Sequence, residues 1–350
     1  MRLADAARPT FARHETFHPR YGWFRKAYSF AAQDSGAFTR EDAPVLLGVG
    51  KNMVRSIRFW GSAANVITAD PATNPRSPGA IPTRFGHALF NPDEGWDPYM
   101  EDPGTLWLLH WQLLAPPCQL PVWWVVFNDF HPLEFDEALL TGAVQAAVDA
   151  VPDWSAPNPS SMKKDVTALL RTYAPPDLRR RHILDDVLDC PLRELGLITR
   201  SEATGRYRFT VGARSELPAT VVAACVFDYV ARQLPDARTV TLAHLANEPG
   251  APGRAFRLSE TDLRAVLAPV ADEYDDVSLT APNQAFQLTW DGPAEMLGAG
   301  MLNDYYGRSP SDAVVGPSGL EPVDGGALDA RSAVMLTLQS LSSAPIGANR

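Results

Sequence analysis

Two polar clusters in the chain combine residue types that hydrolytic chemistry uses. The first is Phe11-Ala-Arg-His14-Glu15-Thr-Phe17-His18-Pro-Arg20-Tyr21-Gly-Trp23. Here His14 or His18 could activate water, Glu15 could ligate a metal, and Arg20 could hold a phosphate. The same run is also what a docking segment needs, since its aromatic rings could fill a groove while the polar tips stay wet. The second cluster is Asn91-Pro-Asp93-Glu94-Gly-Trp96-Asp97-Pro-Tyr99-Met-Glu101-Asp102. Oxygen ligands at this density could gather a hard cation, Mg2+ or Mn2+, of the kind phosphodiester hydrolysis uses to stabilise developing charge. Asp102 precedes Pro103, where a helix N-cap belongs, so it reads as a capping residue. Glu15, Asp97 and Glu101 remain the metal candidates; with His14 and His18 they form the catalytic set. His110 lies inside the apolar run TLWLLHWQLL and reads as a hydrogen-bonded core histidine. Asn128-Asp129-Phe-His131 could reach the same cleft or make a turn. No PD-(D/E)xK, HNH-like, GIY-YIG, HExxH or GxSxG pattern occurs.

These side chains need elements to position them. The spacing predicts a helix over Trp23 to Gln33. Thr39 and Asp42 form a capping-box pattern for a short helix to Leu47, with Pro44 distorting its start. A glycine turn at Gly48 and Gly50 follows, then a longer helix from Lys51 towards Val66. At 100° per residue, Met53, Ile57, Trp60 and Ala64 share one face of that helix and Lys51, Arg55 and Arg58 the opposite one. Two helices around a glycine turn, with a basic outer face on the second, fit a helix-turn-helix unit whose wing would be Ile81 to Phe90. An αα-hairpin with a solvated face fits equally well. The run Gly-Val-Gly-Lys-Asn is not a phosphate loop, because Val45 stands where glycine is required and Asn52 where Ser or Thr is required.

From Pro103 to Asn128 the chain has no charged residue. Pro116, Pro117 and Pro121 break this stretch, so it reads as a core helix followed by a core strand rather than a membrane span. Helices are expected over Glu134 to Val151, Met162 to Tyr173, Asp185 to Leu195 and Pro218 to Leu234, with a strand at Arg206 to Val211. Beyond them, a segment at Thr241 to Ala246, a capped helix from Ser259 and strands at Val277 to Thr280 and Ala285 to Trp290 suggest a second winged-helix unit. The Pro/Ser-rich stretch from Pro152 to Ser161 divides the chain into residues 1–151 and 162–306, and 307–350 reads as a mobile tail with a short helix near Arg331 to Leu341.

The 350 residues carry a net charge of −10, which excludes a generally basic nucleic-acid protein. That charge is unevenly spread. Residues 1–60 hold ten basic and five acidic side chains, whereas residues 215–350 hold eight and seventeen. DNA contacts are therefore expected from the first block, at Arg20, Lys26, Lys51, Asn52, Arg55 and Arg58, and from Lys163, Lys164 and Arg171 in the basic stretch 163–214. The acidic C-terminal block suits protein contacts. Three cysteines without a CxxC pair, and an N-terminus without an apolar signal core, fit a protein of the reducing cytoplasm.

His14 to Trp23, Phe38 to Asp42, Leu47 to Trp60, Asp97 to Asp102 and Thr105 to Trp111 together resemble the SspB family. Lys164 to Tyr173 and Leu188 to Ile198 extend the likeness, which runs from about His14 to Tyr306. The resemblance implies a DNA-nicking subunit of a single-strand DNA phosphorothioation system used in anti-phage defence. It would act on double-stranded DNA beside a cysteine desulfurase, an ATPase and a sulfur transferase, and could pair as a homodimer. No catalytic constellation carries over from the family. The expected fold is α+β, mainly helical, with an N-terminal winged-helix or helix-turn-helix-like DNA-binding domain and a mixed C-terminal assembly domain. The rival expectation is a non-catalytic DNA-binding adaptor or regulator of the same system.

Overall fold

The computed structural model describes residues 1–176 and 190–310. A short helix α1 (Leu3–Ala6) leads through an irregular segment to α2 (Trp23–Gln33), which buries Trp23, Phe24, Ala27, Tyr28 and Ala31 and stops before Asp34. Next comes α3 (Ala43–Leu47), with Pro44 in its first turn, where a missing N–H costs nothing. This corrects the capping-box expectation: the Thr39 hydroxyl donates to the Gly36 carbonyl (2.7 Å) and α3 starts after Asp42. Gly48 closes α3 in the left-handed region (φ 65°), a conformation that costs glycine little. Helix α4 (Lys51–Ala63) then crosses α2 closely: a Cβ on Gly61 would sit 2.4 Å from the Ala27 Cβ.

Strands β1 (Ile67–Ala69) and β2 (Ala80–Pro82) pair antiparallel, with Thr68 opposite Ile81. The wing expected at Ile81 to Phe90 is therefore misplaced. Its C-terminal part is helix α5 (Arg84–Phe90), because the Thr83 hydroxyl accepts from the Gly86 N–H (2.8 Å) and opens a helix there.

The uncharged stretch forms two helices. Asp102 caps α6 (Pro103–Leu114), accepting from the Gly104 N–H at 2.7 Å. The expected strand is instead α7 (Pro121–Asn128), with proline in the first turn and every residue buried. Strand β3 (Glu134–Phe135) precedes α8 (Glu137–Asp149), whose cap is Asp136, so that helix begins three residues later than the pattern predicts. Helix α9 (Pro159–Tyr173) is capped by Asn158.

Of the helix expected over Asp185 to Leu195, Pro191–Leu195 is a 3-10 turn, Cys190 is the extended residue before it, and residues 185–189 lie outside the described residues. The same holds for the helix near Arg331 and for the tail beyond residue 310. Strands β4 (Ile198–Arg200) and β5 (Tyr207–Phe209) join β3 in the order β3-β5-β4.

In the last part, α10 (Ala219–Gln233) is almost wholly buried. Strand β6 (Thr239–Thr241), α11 (Leu242–Asn247), α12 (Pro252–Phe256), α13 (Glu260–Glu273), β7 (Val277–Thr280) and β8 (Gln287–Trp290) follow, with sheet order β6-β8-β7. A capping box of Ser259 and Asp262 opens α13. Helix α14 (Ala294–Tyr306), which no pattern predicts, packs on α10.

The architecture is α+β, dominated by helices with small antiparallel sheets. Residues 150–158 link α8 to α9, so the last three residues of the expected 152–161 boundary begin α9 instead, and core residues on both sides of the link belong to one apolar cluster from Leu3 to Leu302. Among the described residues no helix is long and apolar enough to cross a membrane.

Candidate functional site

Helix α4 buries Val54, Ser56, Ile57, Trp60 and Ala63 and leaves Lys51, Asn52 and Arg55 exposed. The exposed side is the outward face read from the sequence, except at Arg58. That guanidinium is half-buried, donates to the Pro78 and Gly79 carbonyls (3.3 Å to the latter), and lies over the Phe38 ring. Burial pushes its pKa down. Arg58 thus ties α4 to the loop between β1 and β2. Lys26 is also engaged, donating to the Leu47 carbonyl (3.1 Å) at the end of α3. Arg55 lies 3.6 Å from the Glu15 carboxylate. Arg20 is half-buried beside Trp23, while Lys163, Lys164 and Arg171 are exposed on α9.

The N-terminal cluster is strapped against the inner side of this unit. His14 is 1% exposed, and its Nε2 lies 2.6 Å from Asp165 Oδ1 on α9. Asp165 also accepts from the Ala12 N–H (2.9 and 3.1 Å). The His14 ring stacks on Trp60, the Ser56 hydroxyl donates to the His14 carbonyl, and the Trp60 indole donates to the Phe17 carbonyl. Ala12, Glu15 and Thr16 adopt left-handed backbone, a costly conformation that this network holds in place. His18 is buried as well. Neither imidazole is presented to solvent, and the segment packs as a docking strap. Asp165, which no sequence argument singled out, is its main anchor.

In the acidic loop, Asp97 points inward. Its carboxylate accepts from the Glu101 N–H (2.9 Å), the Asp102 N–H (3.0 Å) and the Thr105 hydroxyl (2.6 Å). Asp102 accepts from Gly104 and from the Tyr305 hydroxyl (2.7 Å). Among the described residues no three His, Cys, Asp or Glu side chains converge as a set that could hold a metal ion. Glu15, Asp97 and Glu101 therefore do not form the carboxylate cage suggested by the sequence: Glu15 faces Arg55, Asp97 is spent on its own turn, and Glu101 is exposed.

His110 is a core residue, as expected, bonded to the Tyr173 hydroxyl (2.8 Å) and the Ala255 carbonyl (2.9 Å); burial lowers its pKa to about 4. Asn128 accepts from the Gly250 N–H (2.6 Å), which makes its segment a turn fastened to the α11–α12 connection.

A family model described as "Protein of unknown function (DUF4007)" matches residues 11–306. Among curated proteins none matches the chain. Two solved structures, described as "SspB crystal structure" and "Magnesium ion-bound SspB crystal structure", are each 36% identical to the chain, cover 97% of it and 98% of their own length, and superpose with a TM-score of 0.82. The magnesium belongs to that relative, and the carboxylates described above offer it no ready three-ligand cage here. With a family match spanning most of the chain and this likeness over nearly all of it, the chain belongs to the DUF4007 family and is SspB-like.

Proposed function

We propose that this protein binds double-stranded DNA and nicks one strand within a single-strand DNA phosphorothioation system. The observation that carries the reading is the outward face of α4, where Lys51, Asn52 and Arg55 stand exposed after a tight glycine turn in an SspB-like chain. Cationic side chains on one helix face neutralise phosphates and set the position of a duplex. Lys163, Lys164 and Arg171 supply secondary phosphate contacts. In the system that the family likeness suggests, a cysteine desulfurase, an ATPase and a sulfur transferase act on the nicked strand.

A second reading, a DNA-binding adaptor that does not cleave, is favoured by the burial of His14 and His18 and by the inward commitment of Asp97. A supercoiled-plasmid assay separates the two, run with magnesium against EDTA on wild type, Glu15→Ala and Glu101→Ala. The nicking reading expects open circles only with magnesium, with at least one folded variant reduced about tenfold or more. Retained plasmid binding without relaxation makes the protein an adaptor. No binding at low salt removes both readings.

A further inference from the structure

The loop that spends Asp97 on its own turn also pushes one residue outward. Met100 takes left-handed backbone (φ 59°) and buries its side chain, while Asp97 holds the Glu101 and Asp102 amides. Tyr99, between them, is 59% exposed. Isolated exposed aromatics are ordinary on protein surfaces, but this one has a partner. The guanidinium carbon of Arg25, on the exposed side of α2, lies 4.4 Å from the Tyr99 ring centroid. The next residue, Lys26, reaches the Leu47 carbonyl, where α3 ends and the glycine turn into Lys51 and Asn52 begins. Lys26 thus fastens the helix that carries Arg25 to the turn that precedes the exposed start of α4.

We propose that Arg25 and Tyr99 form a stacking platform for one unpaired base of a DNA strand whose flanking phosphates lie towards Lys26 and Lys51. The inference rests on the DNA-binding reading above and adds a single-strand subsite to it. An aromatic face backed by a guanidinium suits a nucleobase of any identity, because every base presents a π-face and the cation attracts the neighbouring phosphate. The Arg25 guanidinium already lies over the phenol ring, which lowers the ordering cost of stacking.

The test uses the full chain with a short single-stranded oligonucleotide carrying 2-aminopurine and with a duplex of the same sequence. Wild type is expected to quench the 2-aminopurine. Tyr99→Ala should bind the single strand about tenfold more weakly without quenching, and Tyr99→Trp should retain both properties. Duplex affinity of all three should agree within about twofold, and an unchanged melting temperature shows that the exposed substitution leaves the fold intact. Single-strand binding and quenching that survive Tyr99→Ala overturn the platform. Equal loss on single strand and duplex also overturns it, since Tyr99 would then be a general contact. Wild type that binds duplex but not single strand refutes the platform and leaves the DNA reading standing, whereas wild type that binds neither removes both.

Discussion

At the scale of single residues, the chemistry-bearing side chains divide by what they touch. Asp97 is 7% exposed and receives two backbone amides and a hydroxyl, so its carboxylate shapes a turn. Removing it leaves two part-buried amides without an acceptor and the Thr105 hydroxyl with Tyr306 alone, which costs more than the net value of the bonds themselves. Asp97→Ala should lower unfolding free energy by about 2–4 kcal/mol in urea titration, and the exposed Glu101→Ala should change it by less than about 0.5 kcal/mol. A metal-ligating Asp97 would give the reverse pattern: a stable variant that has lost its response to magnesium. The sequence showed which carboxylates cluster but not which way each points. The His14 anchor was invisible for a different reason, since Asp165 lies 151 positions away and only the packing of α9 brings the two together.

Among the elements, α2 and α4 were legible because apolar residues recur at helical spacing and turns bound them. The stretch forming α7 was not, because an apolar run of eight residues has no polar face by which to tell a helix from a buried strand. Thr83 could have exposed the misplaced wing, since threonine is a preferred N-cap residue, but the β-branched Ile81 and Thr83 favour a strand equally. Helix α6 carries a testable consequence through His110. Burial holds its folded-state pKa at about 4, below the ordinary 6.5, so the folded protein keeps the ring neutral where the unfolded chain takes up a proton. The unfolded state then binds more protons between those limits, so stability falls as pH drops from 6.5 to 4 and this contribution levels off below. The loss is about 3 kcal/mol. His110→Asn should remove that part of the slope, whatever its constant cost from altered bonds to Tyr173 and Ala255, and chemical denaturation across the pH range measures the difference.

For the whole molecule, the contrast between a net charge of −10 and a basic N-terminal block makes any DNA binding local and strongly dependent on salt. An acidic C-terminal block would repel a duplex, so the proposed binding favours poses in which α4 faces it. Each cation that meets a phosphate releases counterions, which sets the slope of log affinity against log salt. Lys51→Ala and Arg55→Ala should each flatten that slope by about 1, and together by about 2. Arg55 must leave Glu15 to do so, and the ion pair it gives up is a solvent-facing one of small worth. Arg58 provides the control on the same helix. Its guanidinium already serves the Pro78 and Gly79 carbonyls, so Arg58→Ala should lower the melting temperature while leaving the slope of the folded protein unchanged. Fluorescence anisotropy on a short duplex between about 50 and 200 mM salt reads all four variants, the double one included. A slope that drops with Arg58→Ala as much as with Arg55→Ala would mean that the β1–β2 loop releases Arg58 on binding and that both arginines face the phosphates. A slope unmoved by Lys51→Ala and Arg55→Ala would remove α4 from the interface and leave α9, with Lys163, Lys164 and Arg171, as the remaining basic face.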